Sequence, residues 1–474
     1  MFKRNCRILK IFTAIFLLLL LSITAIVDAT FCKTLKKEIG FSCIQDLDYP
    51  LNNDSTNWTI MYYFAADNKM TNTAKTFIQN LTKIGSSDEL NIIMLYDGNQ
   101  QSDTKLYYVK KGGGLEELNE KFGWPDEVNI ADKNTLSLFC RQMMNAYPAQ
   151  HYGLMIVSVG AGWQGICPEF GPPLRPYTDI SIITMSDFQE ALQEITKNGE
   201  KRLDVISIVA CLAGMIEVAS EIKPYANYFV ASEEDNPLLQ VWPSIDSLWN
   251  LKNNTDMTPE EFVKDIINYY MPYDVPLCSV FIRRLFNNLP FPLLHVVTLH
   301  TTLSAVNLSK LNEVENSVND LASLLLLNQE NENSRKAVQN ARSEVREYGK
   351  YSPKNYVLGW PPRRPLYDEI SLEILAYDAF IDLYNFAQIL YNETENQGVK
   401  TACSHIIDSI NNVVLAYKTT IEDNSSHGLS IYFPQTRWLY NHFIFSRKIP
   451  SPYEEIQFSQ NTAWDEFLRG YLRI

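Results

Sequence analysis

One stretch of the chain, residues 203–237, constrains the fold more than any other. It opens with a short apolar run at 205–209, which is typical of a strand buried on both faces. Helical spacing follows and ends at Pro224, after which residues 228–231 predict a second strand. A strand, a helix and another strand in succession indicate a parallel sheet.

Cys211 lies between the first strand and the helix of this unit. Parallel sheets carry ligands and reactive groups at the carboxyl ends of their strands, so Cys211 is a candidate catalytic nucleophile. The competing interpretation is a small buried core residue, the usual role of a free cysteine. Within the helix, Glu217 and Glu221 fall on the face opposite the apolar residues.

Strands and helices alternate ahead of this unit, which predicts an α/β fold with a parallel sheet. Residues 58–65, 90–96 and 153–159 are predicted strands, 67–81 and 132–147 are predicted helices, and 106–114 is a predicted edge hairpin. A loop rich in Gly and Pro is expected at 160–183. Ser186 and Gln189 predict a capping box for a helix that runs to about Asn198.

The second half of the chain is predicted to be largely helical. Predicted elements are a helix from Thr258, two helices over 308–348 broken near Asn328, a loop at 359–365, amphipathic helices at 376–391 and 399–418, and a late strand at 428–433. We therefore divide the chain into a targeting segment (1–29), a polar leader (30–57), a core domain (58–255) and a helical part (256–474) whose late strand returns to the core.

The N-terminus has the layout of a secretory signal peptide. Basic residues precede an uncharged run at 11–27, and small residues before Thr30 form a cleavage site. As a helix the run would span roughly 25 Å, which is short for a hydrocarbon core of about 30 Å. We expect cleavage and a secreted or extracytoplasmic protein; the alternative is an uncleaved segment that anchors the chain in a membrane.

Composition excludes several classes of protein. A hydrophobic content of 46% indicates a globular chain, and a net charge of -14 argues against nucleic-acid binding. The cysteines lack zinc-site spacing, so no metal site and no cofactor is predicted, and dependence on calcium stays open. In an exported chain Cys32 and Cys43 either pair or remain free thiols.

Four segments of the sequence occur together in a known order: Y-F-A-A-D-N from Tyr63, H-Y-G-L-M-I-V-S-V-G-A-G-W from His151, A-C-L-A-G-M-I-E-V-A from Ala210, and G-L-S-I-Y-F-P from Gly428. With these segments the chain, from about residue 58 to 434, resembles the clostripain family of cysteine peptidases, relatives of caspases, gingipains and separase. The resemblance implies a caspase-like three-layer α/β/α sandwich with a mostly parallel central sheet. It also implies a peptide or protein ligand and cleavage after basic residues.

The resemblance assigns roles to four positions. Cys211 stands at the position of the nucleophile, and its amide together with that of Gly160 stands where relatives hold the oxyanion. Val159 occupies the position of the catalytic histidine, directly before the Gly-x-Gly-Trp turn. Val209 occupies the position of an acid that lines the pocket for a basic side chain.

The two valines remove essential chemistry. A cysteine attacks as thiolate, and an unassisted thiol with a pKa of about 8.5 is only a few per cent ionised at neutral pH. Without histidine nothing lowers that pKa or protonates the leaving amine; in subtilisin, loss of the base costs on the order of 10⁶ in rate. A basic side chain buried beside Val209 would lack its counter-charge.

Other residues are candidate replacements for the missing histidine and the missing pocket acid. His151 lies eight residues before Val159 on the same predicted strand, roughly 26 Å away and far outside hydrogen-bond range. His427, ahead of the late strand, stays open as a substitute base. Three acidic residues follow the second strand of the opening unit: Glu233, Glu234 and Asp235. They either rebuild an acidic pocket or form a solvated loop, and the solvated loop is favoured.

The sequence therefore predicts an exported clostripain-like cysteine peptidase homologue. We expect it to be catalytically inactive or strongly impaired, and to act by binding a peptide or protein. The alternative is an active cysteine endopeptidase that uses an unconventional base and has altered specificity. Both expectations share one fold, because function belongs to the site.

Overall fold

A computed structural model describes residues 55–68, 70–170, 181–234, 244–270, 301–348, 379–420, 424–440 and 452–474. Its strands are β1 (Thr56–Ala65), β2 (Leu90–Asp97), β3 (Lys105–Val109), β4 (Leu115–Glu117), β5 (Ala149–Val157), β6 (Ile166–Glu169), β7 (Ser181–Ile183), β8 (Leu203–Val209), β9 (Ala226–Ala231), β10 (Thr302–Asn307), β11 (Glu347–Tyr348), β12 (Phe380–Asp382), β13 (Val414–Thr419) and β14 (Ser430–Tyr432). Its helices are Thr71–Ile84, Asn119–Phe122, Lys133–Ala146, Met185–Ile195, Ile216–Ile222, Ser244–Asn253, Pro259–Tyr269, Leu311–Leu327, Glu332–Glu344, Leu383–Glu393, Gln397–Val413, Arg437–Tyr440, Gln457–Asn461 and Trp464–Leu472.

The largest sheet among these residues has nine strands in the order β13-β10-β9-β8-β5-β1-β2-β3-β4. The five strands β2, β1, β5, β8 and β9 run parallel, while β10 and β3 pair antiparallel at either side of them. Two smaller sheets, β6-β7 and β11-β12-β14, lie outside it. β14 is joined to the core by a parallel bridge between Met215 and Ser430.

Helices cover both faces of the large sheet. One apolar cluster joins the sheet to helices that include Lys133–Ala146, Met185–Ile195 and Ile216–Ile222. A second cluster joins the opposite face to Thr71–Ile84 and Pro259–Tyr269. The result is the α/β three-layer arrangement with a mostly parallel central sheet that the resemblance implies.

The predicted strands of the core domain are confirmed, because each is a buried apolar run in the interior of the large sheet. The late strand is confirmed as β14, in a smaller sheet. The edge hairpin β3-β4 and the two helices that break near Asn328 are also confirmed. Thr258 caps its helix through a capping box with Glu261, and Pro259 takes the first helical position. In the described part of the chain, each helix is too short or too polar to cross a membrane.

Several predicted elements are wrong in part. The loop predicted at 160–183 contains the hairpin β6-β7, and the capping box is formed by Thr184 and Asp187 rather than by Ser186 and Gln189. The helix predicted at 399–418 ends at Val413 and continues as β13, since pairing with β10 replaces helical hydrogen bonds there. β10 and β12 were not predicted. Residues 1–54, with the targeting segment, Cys32 and Cys43, and the loop at 359–365 lie outside the described residues.

The helix Ile216–Ile222 is buried even on its polar face, which carries Glu217 and Glu221. Glu217 is 0% exposed, and its Oε1 accepts from the amide of Tyr432 and the hydroxyl of Tyr453, both at 2.8 Å. Glu221 accepts from the amide of Gln457 at 2.6 Å. The C-terminal segment therefore packs over these carboxylates and ties itself to the helix that follows Cys211.

We predict that Glu217→Gln makes the free energy of unfolding less dependent on pH. Burial raises the pKa of Glu217 from 4.5 to about 7, so its stabilising contribution is full below about pH 4.5 and is lost as pH rises through about 7. The loss is on the order of 3 kcal/mol. Denaturant unfolding of both proteins between about pH 4 and 8 measures the difference.

The substitution keeps an acceptor oxygen for both tyrosine donors, so the variant is expected to fold. Glu344→Gln, which changes an exposed carboxylate, is the matched control and should follow the wild type at each pH. Identical pH dependence in Glu217→Gln and the wild type would contradict the assignment.

Candidate active site

Cys211 lies two residues beyond the carboxyl end of β8 and is half-buried. The next residue, Leu212, has a φ of 61°, a conformation that side chains with a Cβ seldom adopt. Its amide donates to the carbonyl of Glu234 at 3.4 Å, which holds the turn in place. This turn leads from β8 to the helix at Ile216 and leaves Cys211 at the edge of the sheet, where parallel sheets carry their sites.

Val159 and Cys211 follow neighbouring strands, because β5 and β8 pair in parallel. Val157 is opposite Val209 in their register, and Val159 and Cys211 each follow two residues later. The amide of Ser158 donates to the carbonyl of Val209 at 3.2 Å, so the pairing extends past the end of β5. The two segments that carry Val159 and Cys211 therefore leave the sheet at the same edge.

Gly160 makes a close approach to the cysteine turn. A Cβ at this position would lie 2.8 Å from the Cβ of Ala210 and 3.0 Å from the carbonyl oxygen of Cys211. Contacts shorter than 3.0 Å force something to move, so only glycine fits here without displacing the Cys211 segment.

The amide of Gly160 is not used by the bridge that follows it. Gly160 pairs with Ile166 in an isolated antiparallel bridge. The two hydrogen bonds of this bridge use the carbonyl of Val159, at 3.2 Å, and the amide of Ala161, at 3.0 Å. The bridge therefore fixes the Gly160 turn without using the amide that relatives turn toward the oxyanion.

The surroundings of the cysteine are apolar where the resemblance expects polar groups. Val159 and Val209 are partly buried and pack against the same apolar cluster, which includes Tyr62 and Phe64. Val159 also packs against the apolar cluster on the opposite face of the sheet, the one that includes the helix Ile216–Ile222, as does Cys211. A pocket lined at Val209 by hydrocarbon offers no counter-charge to a basic side chain.

The prediction of a solvated acidic loop is wrong for Glu233 and Glu234, which are 1% and 5% exposed. β10, which was not predicted, pairs with β9 and covers them; the hydroxyl of Thr302 accepts from the amide of Glu233 at 2.9 Å. Glu234 is paired with Arg346 at 3.1 Å. Asp235 lies outside the described residues.

Glu233 belongs to a buried acidic network. Its Oε2 accepts from the amide of Gly428 at 2.9 Å, and the hydroxyl of Tyr348 donates to Asp382 at 3.2 Å. Burial, and after it the neighbouring Asp382, raises the pKa of Glu233 well above its usual value. A carboxyl in this state is a proton-sharing group of the core rather than a fixed negative charge.

His427 is held within the same network. Its Nδ1 lies 2.8 Å from the carbonyl of Ser425 and 3.3 Å from Oδ1 of Asp382, and its ring stacks on Tyr384 at 3.9 Å. A histidine oriented by a carboxylate is the arrangement of a general base and its orienting group. Its role as a base for Cys211 stays a prediction.

The other described histidines lie elsewhere. His151 is on β5 opposite Trp58, near the amino end of the strand, and its Nδ1 lies 3.3 Å from Asp204. His405 is exposed on the helix Gln397–Val413. His295, His300 and His442 lie outside the described residues.

Sequence analysis did not select three carboxylates that lie together at the carboxyl edge of the sheet. Asp67, Asp97 and Glu169 each contribute an oxygen to a group in which all three atoms lie within 4.8 Å of one another. The sequence did carry a signal for two of them: an aspartate follows each of two neighbouring strands, in A-A-D for Asp67 and L-Y-D for Asp97. Glu169 has no such pattern, because it reaches the group through the unpredicted hairpin β6-β7.

The three-layer fold, with a cysteine at the end of a central parallel strand, is that of the caspase-like cysteine peptidases. The family model described as the clostripain family matches residues 62–471. The chain belongs to the clostripain family, and the match extends beyond the region that the four sequence segments cover. A comparison with curated proteins found no match.

Solved structures have the same fold. An inactive zymogen of a C11 protease from Parabacteroides distasonis is 15% identical with a TM-score of 0.52, and the match covers 86% of this chain and 99% of that one. A secreted C11 cysteine protease from Bacteroides thetaiotaomicron, in complex with an irreversible peptide inhibitor, is 17% identical with a TM-score of 0.52 and the same coverage. At these identities the likeness concerns the fold alone.

Proposed function

We propose that this protein is an exported member of the clostripain family that binds peptides at the Cys211 edge of the sheet and has no effective peptidase activity there. The observation that supports the proposal is that Val159, the residue at the position of the family's base, directly precedes Gly160, which lies against the backbone of Cys211. A valine neither accepts the thiol proton nor donates one to a leaving amine. An apolar neighbour also disfavours the thiolate, which is the attacking species.

Peptide binding is proposed because the backbone of the site remains. The amide of Gly160 is left unused by its bridge, and the turn holds it against Cys211. Two amides directed at one point bind a peptide carbonyl without any help from a base. A C11 protease of similar fold is in complex with an irreversible peptide inhibitor, which supports peptide binding as the proposed function.

The pocket beside Val209 is proposed to accept apolar or small side chains. Val209 packs against hydrocarbon, and Glu233 and Glu234, the candidate replacements for the missing acid, are engaged in the core. Burying an uncompensated guanidinium or ammonium group there would be costly. Specificity for basic residues, which the family resemblance implies, is therefore not proposed for this chain.

The competing function is an active endopeptidase with an unconventional base. The pair formed by His427 and Asp382, at 3.3 Å, is the observation that favours it. Gly428, next to His427, bonds to Glu233, and the neighbouring Glu234 accepts from the amide of Leu212. The network therefore reaches the cysteine turn, although the imidazole is already engaged by Ser425 and Tyr384.

We predict that the protein binds peptides without cleaving them. A matched series that differs only in the residue before the scissile bond should bind with no preference for Arg or Lys over Leu or Ala. Over the same incubation, wild type and Cys211→Ala should give equal and background amounts of product. Fluorescence anisotropy measures binding, and mass spectrometry of the same samples measures cleavage.

The variant Val159→His, alone and with Val209→Asp, is the positive arm of this experiment. The double variant should cleave after Arg above the Cys211→Ala background, because it restores a base and a counter-charge. Turnover by the wild type that Cys211→Ala abolishes would overturn the proposal. Loss of that turnover in His427→Gln would then establish the competing function.

Export is proposed from the charge pattern of residues 1–29, and a secreted C11 protease of similar fold supports it. We predict a mature chain that begins near Thr30. N-terminal sequencing of protein recovered from the producing cells measures this directly. A membrane-bound product that still begins at Met1 would favour the anchor and reject cleavage.

A further inference from the structure

The segment 452–474 contacts the Gly160 turn through the ring of Tyr453. Tyr453 is 1% exposed, and its ring meets that of Trp163 edge-on, with the ring centroids 5.0 Å apart. Trp163 is the last residue of the Gly160 turn (160–163), and its ring also packs on Tyr432 at 5.2 Å. The rings of Tyr453 and Tyr432 lie 4.8 Å apart. Three buried rings therefore join the Gly160 turn to a part of the chain that is remote in sequence.

On its other side the Gly160 turn is packed against the cysteine turn. Gly162 has a φ of 60°, and a Cβ there would lie 2.8 Å from Sδ of Met215 and 3.1 Å from the carbonyl oxygen of Leu212. The amide of Trp163 donates to the same sulfur at 3.2 Å. Because close-packed interiors transmit displacements, a shift of Trp163 moves either the Gly160 amide or the cysteine turn.

Glu217 fixes the direction of the Tyr453 ring. This carboxylate lies in the first turn of the helix Ile216–Ile222 and is 0% exposed. Its Oε1 accepts from the hydroxyl of Tyr453 and from the amide of Tyr432, both at 2.8 Å. A buried hydroxyl needs an acceptor, so ring orientations that reach this oxygen are favoured. Tyr453 is thereby held between the helix that follows the cysteine turn and the ring of Trp163.

From these contacts we infer that Tyr453 is a positioning residue of the peptide-binding site. Its ring, oriented by Glu217, holds Trp163 and keeps the Gly160 turn against the Cys211 segment. This role rests on the proposed function, since a positioned amide matters only where a peptide carbonyl binds. Tyr453 acts through Trp163 and does not itself touch the peptide.

The test compares peptide binding by the full chain and by variants at position 453. The probe is the peptide with Leu before the scissile bond, and fluorescence anisotropy measures its Kd. Tyr453→Leu removes the ring edge and should raise the Kd by about tenfold, because a site misplaced by about 1 Å loses much of its function. Tyr453→Phe keeps the ring and loses only the hydroxyl, so its Kd should lie between those of Tyr453→Leu and the wild type.

Tyr440→Leu is the matched control for a general loss of stability. Tyr440 is 4% exposed and its ring packs on those of Tyr432 and Tyr453, but in the described part of the chain it has no ring contact with Trp163. Circular dichroism and Tm show whether each variant folds. The control should bind the peptide as the wild type does.

A double-mutant cycle with Trp163→Leu tests whether Tyr453 acts through Trp163. If it does, the double variant should bind no more weakly than Trp163→Leu alone. Hydrogen exchange adds a measurement that needs no peptide. The amides of Ala161 and Gln164, which are bonded within the turn at 3.0 Å and 3.2 Å, should exchange faster in Tyr453→Leu than in Tyr440→Leu.

Weaker binding and faster exchange in Tyr453→Leu, partly restored in Tyr453→Phe and absent in Tyr440→Leu, would support the positioning role. Binding by Tyr453→Leu equal to that of the wild type, equal losses in Tyr453→Leu and Tyr440→Leu, or additive losses in the double variant would overturn it and leave the proposed function standing. If the wild type binds no peptide, the proposed function fails. The exchange measurement then decides the role of Tyr453 alone: faster exchange in Tyr453→Leu supports its hold on the turn, and unchanged exchange overturns it.

Discussion

The parallel pairing of β5 with β8 is the interaction on which the site depends. Its register ends with Val157 opposite Val209, and Gly160 closely approaches Ala210 and Cys211 in the turns that follow. In a parallel sheet both strands end at the same edge, so residue 159 and Cys211 leave the sheet there together. The proposed function rests on the hydrocarbon side chain at position 159, which supplies no base.

Buried polar contacts hold the framework around Cys211, where valines occupy two positions to which the family resemblance assigns polar groups. Glu217 ties the C-terminal segment to the helix after Cys211, and the acidic network of Glu233 and Asp382 joins β12 and the β14 region to the end of β9. These buried contacts serve folding whether or not catalysis occurs. The proposed function is a binding surface held by this framework, because function belongs to the site rather than to the fold.

Sequence predicted the interior of the sheet well and its margins poorly. The interior strands are continuous apolar runs, and this composition alone predicts that they are buried; they are β1, β2, β5, β8 and β9. β10, β12 and β13 form only through pairing with partners distant in sequence, and β13 continues a pattern that reads as helix. The sequence does not predict β10, and for that reason Glu233 and Glu234, which β10 covers, are predicted to be solvated. For the site, Cys211, Val159 and Gly160 were found from sequence, whereas the meeting of Asp67, Asp97 and Glu169 required the fold.

We propose that no residue in the described part of the chain activates the thiol of Cys211. The most direct measurement is the rate of alkylation of Cys211 as a function of pH, with Cys211→Ala as the blank; the other described cysteines, Cys140, Cys167 and Cys403, are buried. The account predicts an apparent pKa at or above about 8.5, the value of an unassisted thiol. An apparent pKa well below 7 would contradict it, because only a neighbouring base or cation lowers a thiol's pKa that far.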